Sequence, residues 1–99
     1  MATPSFLLLV TDRFPSGSTG TARLGITVSR RVGGSVVRSR VKRRIREWFR
    51  HDRARLPADR DIVVIARPPA AQLSQIEAAG ELAAAADRIR VAVRYGAPS

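Results

Sequence analysis

Arg38, Arg40, Lys42, Arg43, Arg44, Arg46 and Arg50 fall inside one thirteen-residue stretch, RSRVKRRIREWFR. A guanidinium group is planar, always charged and fork-shaped, and it pairs with phosphate through two parallel hydrogen bonds. Seven cations at this density exceed what a small anion needs; they suit an extended polyanion. The stretch is not uniformly polar, because Val41, Ile45, Trp48 and Phe49 recur among the cations near helical period.

The other reactive residues point away from catalysis by the chain itself. The only histidine, His51, has no obvious carboxylate partner in the sequence except Asp52 and reads as a surface residue. The absence of cysteine excludes disulfides and thiolate metal sites and is compatible with a reducing cytoplasm. Serine-nucleophile, zinc and P-loop motifs are missing, and Gly33-Gly34 lacks the spacing of a phosphate-binding loop. The acids are scattered, with no pair placed to hold Mg²⁺. No catalytic residue and no metal ligand is therefore expected on the protein.

The 99 residues carry a net charge of +10 and suit one domain with one modest core. Between Arg30 and Arg55 there are eleven Lys and Arg against two acids, a net of +9, so nearly the whole excess sits in a quarter of the chain. Seventeen of the eighteen basic residues are Arg, a bias that phosphate binding favours and that a GC-rich genome also produces. The apolar run Phe6–Val10 is too short for a signal sequence or a membrane span, which leaves a cytoplasmic protein with no membrane partner as the expectation.

Phe6–Asp12 reads as a well-covered strand, and Phe14–Gly20 as a Pro/Gly/Ser/Thr-rich turn. Residues 22–30 alternate, with Leu24, Ile26 and Val28 on one face, and are expected to pair with the first strand as a hairpin. Gly33-Gly34 ends that strand, Ser35 is a plausible N-cap, and a helix follows until Pro57. At about 100° per residue, Val37, Val41, Ile45, Trp48, Phe49 and Leu56 fill one side; Ser39, Arg43, Arg46 and Arg50 lie opposite, flanked by Arg40 and Lys42. The apolar stripe docks the helix and so fixes the cations as an array. Asp61–Arg67 reads as a buried strand stopped by Pro68-Pro69, and residues 72–93 as a second helix with Leu73, Ile76, Leu82, Ala86, Ile89 and Val93 near one stripe. The expected fold class is α+β, a small sheet with helices packed on one side in the order β-β-α-β-α, forming a single nucleic-acid-binding domain over residues 1–99 with loose termini at 1–5 and 95–99.

The stretch RLGITVSRRVGGSVVRSRVKRRIREWFR, followed by DIVVIARPPA, resembles the protein component of bacterial ribonuclease P across about residues 6–92. The resemblance implies a left-handed β-α-β crossover through the Arg-rich helix, against the general preference for right-handed connections. It also implies an accessory subunit of a ribonucleoprotein endoribonuclease, a hydrolase in tRNA processing. The catalytic RNA would perform the chemistry with Mg²⁺ held by the RNA, on precursor tRNA as substrate, with no protein oligomer required. RNA contact then falls on Arg30 and Arg31 at the end of the second strand and on Arg38, Ser39, Arg40, Lys42, Arg43, Arg46 and Arg50 of the helix. Two positions depart from the family pattern: Arg38-Ser39-Arg40 stands where the family has Arg-Asn-Arg, and Leu9 where an aromatic is common. Family members usually carry a further helix and short strand ahead of the position of Phe6, which help to form the cleft for the 5′ leader, so that cleft is expected to be reduced and one sheet face under-covered. Two other readings of the residues remain: a non-catalytic module for structured RNA, ribosomal-protein-like or chaperone, and a helix for the DNA major groove. The last is disfavoured by a helix poor in the Asn and Gln that read base edges.

Overall fold

The computed structural model describes residues 1–12, 23–56 and 60–94. The turn expected at Phe14–Gly20, Pro57 and the tail from Tyr95 lie outside them. The elements are β1 (Phe6–Asp12), β2 (Arg23–Val28), α1 (Ser35–Asp52), β3 (Arg60–Ala66) and α2 (Gln75–Arg94), with single 3-10 turns at Arg53–Arg55 and Pro68–Gln72. The α+β class and the element order agree with the sequence reading.

The strand pairing does not. β1 and β2 form no hairpin: β3 lies between them in the order β1-β3-β2, antiparallel to β1 and parallel to β2. β3 takes the centre, where both of its edges are hydrogen-bonded, and Ile62 and Val64 become fully buried. A parallel β2–β3 pair needs a long crossover, and the 18-residue α1 supplies it. Register aligns three rows across the inner face: Phe6–Ala66–Val28, Leu8–Val64–Ile26 and Val10–Ile62–Leu24. Both helices pack on these rows, with Val41, Ile45 and Trp48 from α1 and Ala78, Leu82, Ala85, Ala86 and Ile89 from α2 completing the core. The outer face carries Leu7, Leu9, Val63 and Ile65 between Thr27 and the Arg23–Asp61 pair, and Leu9 there is 43% exposed.

Helix boundaries follow local chemistry. Gly34, extended at φ −70°, ψ 179°, occupies the N-cap of α1, so Ser35 is the first helical residue rather than the cap, and no side chain caps this end. Gly33 is required by a close approach: a Cβ there would stand 2.8 Å from Val37 Cβ and Cγ1. α2 starts at Gln75 rather than 72 because Ser74 and Glu77 form a reciprocal cap. Ser74 N donates to Glu77 Oε1 at 2.9 Å, and Glu77 N to Ser74 Oγ at 3.1 Å. These bonds from Ser74 hold the Glu77 carboxyl below its ordinary pKa. Ile76, about 120° around the helix from Leu82, faces outward and is 84% exposed, and Ala78 takes its expected place in the core. Val93 lies within α2, and its side chain is outside those described.

Residues 1–5 are tied down, contrary to the loose N-terminus expected. Met1 and Leu8 exchange N–H···O bonds of 3.0 and 2.8 Å, and Ala2 bridges Leu7, so this segment runs antiparallel along the outer edge of β1. Glu81 on α2 accepts from the Thr3 hydroxyl and, at 2.8 Å, from the Ser5 backbone N–H; Ser5 is 2% exposed. Glu81→Ala would leave both donors without their charged acceptor. The expected cost is about 1–3 kcal/mol, read as a melting temperature lower by roughly 4–8 °C per kcal/mol, with Glu81→Gln intermediate. A Glu81→Ala protein that melts like the parent would show that the N-terminal segment is held by other contacts.

Candidate nucleic-acid interface

α1 is amphipathic by position, and the core decides which side is outside. Ile45 is fully buried, Val41 and Trp48 nearly so, and the helix face diametrically opposite holds Ser39, Arg43, Arg46 and Arg50, all exposed. Arg40 is exposed on one flank, and Lys42 is half-buried on the other. Two shallow hollows share this face. One, about 370 Å³, is lined by Ser35, Val36, Ser39, Arg40 and Arg43; its neighbour, about 480 Å³, by Ser39, Lys42, Arg43, Arg46, Glu47 and Arg50. Ser39 and Arg43 belong to both, so they sit where the hollows meet. A side chain this short leaves the floor open, where an amide would fill it.

The first turn of α1 contains no acid, and Glu47 is the one carboxylate bordering the two hollows. Arg50 Nη2 donates to Glu47 Oε1 at 2.6 Å, and the His51 ring nitrogen lies 3.1 Å from the same oxygen. The Arg50 guanidinium, with a smaller contribution from His51, holds the Glu47 carboxyl below its ordinary pKa, and Glu47 in turn raises that of Arg50. His51 therefore pairs with Glu47 one turn back rather than with its neighbour Asp52. Asp52 instead accepts from Trp48 Nε1 at 2.9 Å, which satisfies the one polar atom of that buried ring. Arg40, Arg43 and Arg46 make no ion pair among the described residues.

Arg30 and Arg31 are exposed in the turn leading from β2 into α1, where Arg31 N donates to Ser29 Oγ at 3.3 Å. Arg38 differs from the other cations: it is half-buried at the edge of the core stripe, and its Nε is enclosed with no hydrogen-bond partner. Two basic residues that the sequence reading left out also have defined places. Arg44 is half-buried toward α2, its carbonyl accepting from Gln75 Nε2 at 3.1 Å, and Arg53 stands 5.8 Å from the centre of the Phe49 ring. Periodicity places Arg44 on the flank next to Trp48; nothing in the sequence marks the pairing of Arg53 with Phe49.

Among the described residues no three His, Cys, Asp or Glu lie together so as to hold a metal ion, and no helix is long and apolar enough to cross a membrane. Geometry and charge thus define a small α+β domain organised around one exposed cationic helix face. The chain matches the Ribonuclease P family over residues 1–90 and belongs to it. It is 54% identical over 63 residues to the ribonuclease P protein component of Syntrophobacter fumaroxidans, an alignment covering 63% of this chain and 53% of that protein. The corresponding protein of Citrifermentans bemidjiense is 42% identical over 88 residues, covering 89% of this chain and 72% of the relative. The fold superposes on the RNase P protein from Thermotoga maritima with a TM-score of 0.78 at 27% identity, covering 89% of this chain and 80% of that one. The alignments with the first three curated relatives span 53–62% of their lengths.

Proposed function

We propose that this chain acts as the protein subunit of ribonuclease P, binding the catalytic RNA and assisting Mg²⁺-dependent endonucleolytic removal of the 5′ leader from precursor tRNA in the cytoplasm. The observation that carries the reading is that Ser39, Arg40, Arg43 and Arg46 share an exposed face held rigid by Val41, Ile45 and Trp48 behind it. Like charges one turn apart on a helix are mutually destabilising, so a face of this kind gains by meeting a polyanion. Arg30, Arg31, Arg38, Ser39, Arg40, Lys42, Arg43, Arg46 and Arg50 form the proposed contact set. Arg30 and Arg31 extend it from the helix toward the sheet.

The protein's share of the reaction is electrostatic and positional. Its cations neutralise phosphates whose repulsion opposes the compact RNA fold, which lowers the Mg²⁺ concentration the RNA needs. On this reading the Mg²⁺ ions belong to the RNA, and the protein contributes charge and position rather than metal ligands. No step of hydrolysis is assigned to a protein side chain.

Reconstitution tests this directly. The full chain mixed with the ribonuclease P RNA of the same genome should cleave precursor tRNA at Mg²⁺ concentrations where the RNA alone is slow. The chain freed of RNA should leave the precursor intact. Neutralising about five phosphates gives an expected log–log slope of affinity against salt of about −3 to −5. Binding to structured RNA without a gain in cleavage would instead mark a non-catalytic RNA-binding module.

A further inference from the structure

α1 and α2 leave a groove of about 440 Å³ between them, beside the basic face. Its floor is apolar, made by Trp48, Ala79 and Ala83, and Gly80 opens onto it with nothing within 4 Å of where a Cβ would stand. Its rim carries Glu47, His51 and Asp52. The His51 side chain is 66% exposed and held by Glu47, and Asp52 is fixed by the Trp48 indole. Glu47 borders both this groove and the hollow lined by Arg43, Arg46 and Arg50, so the two adjoin at that residue.

We infer that the groove is a nucleobase subsite for the RNA strand whose phosphates lie on the basic face, an assignment that rests on the functional reading above. Two carboxylates on the rim repel phosphate, so the groove does not extend the backbone track. They accept hydrogen bonds instead, and the exocyclic amines of cytosine, adenine and guanine supply donors. The apolar floor and the exposed imidazole suit the face of an unstacked base, the usual target of sequence-dependent RNA recognition. A second copy of this chain is disfavoured as occupant, because each copy carries a net charge of +10. The basic face would therefore set affinity, and the groove would select which nucleotide sits at the end of α1.

The chain contains no cysteine, so Ala84→Cys, exposed on α2 one turn beyond Gly80 and outside the groove lining, provides a unique attachment point for a photo-crosslinker. With the ribonuclease P RNA, the labelled protein should crosslink at one or a few adjacent nucleotides. Gly80→Leu, which fills the groove, and His51→Ala, which removes the ring, should each weaken binding about 5- to 100-fold while leaving the salt slope unchanged, because a base contact releases no counterions. Gly80→Ala, whose single methyl fills less of the groove, should weaken binding less than Gly80→Leu and should melt higher through helix propensity. A Gly80→Leu protein that folds and binds like the parent would overturn the subsite. So would crosslinks scattered over the RNA or formed only to a second protein copy, or a weakened variant with a shallower salt slope. Failure of the parent itself to bind this RNA would overturn the functional reading and the subsite together.

Discussion

Truncating Ile45 to alanine is expected to destabilise the domain by about 2–5 kcal/mol, a large fraction of the roughly 5–15 kcal/mol that holds a small domain together. Ile45 has no exposed surface and packs within the same cluster as Val41, Trp48, Ile62, Val64 and Leu82, where sheet, α1 and α2 meet. The sheet, α1 and α2 all contribute to this cluster, so no one of them can close the cavity without shifting against the others. That places the expected cost in the upper part of the range. Urea titration should show a lower midpoint with an unchanged slope. RNA affinity, measured where the variant is still folded, should stay close to parental, because the side chain never reaches the outer face. An Ile45→Ala protein that melts with the parent would mean that the helix is rotated and that the assignment of its basic face is wrong.

The phase of α1 was legible because two signals agree: apolar residues recur at helical period, and the cations fall on the complementary side. The residue contacts of the outer face were less so. Sequence spacing offers His51 both a neighbour, Asp52, and a residue one turn back, Glu47; adjacent helical residues diverge by about 100°, which favours the second. The hairpin expectation failed for a related reason. Alternation in Leu24, Ile26 and Val28 establishes a half-buried strand but does not say which strand lies beside it; its partner is β3, reached by the α1 crossover, rather than β1. The start of α2 was readable from Ser74-Gln75-Ile76-Glu77, a capping box, but Leu73 and Ile76 mimic a stripe and pull the boundary forward. What tied residues 1–5 was not readable at all: Glu81 lies 76 positions from Ser5, and no local pattern announces that bond.

Removing Arg43 and Arg46 together should separate binding from stability in opposite directions. Both are exposed, both line the central hollow of the basic face, and neither makes an ion pair among the described residues, so their removal leaves no described partner unsatisfied. A hydrogen bond to a charged group is worth about 1.5–3 kcal/mol, so each Arg→Ala change should weaken RNA binding roughly ten- to hundredfold. Two lost phosphate contacts should also make the salt slope shallower by about 1.4–1.8. The melting temperature should hold or rise. Arg46 stands one turn from Lys42 and from Arg50, and relieving such like-charge pairs gains a few tenths of a kcal/mol each, with alanine the better helix former. Arg50→Ala is the informative contrast. Arg50 already shares its charge with Glu47 at 2.6 Å, so it should cost less affinity than Arg43 or Arg46 alone. Binding isotherms at several salt concentrations, with thermal melts of the same samples, decide the matter. If the double variant loses affinity only in step with lost folding, or keeps the parental salt slope, phosphate contact must be assigned elsewhere, with Arg30, Arg31 and Arg40 the next to replace.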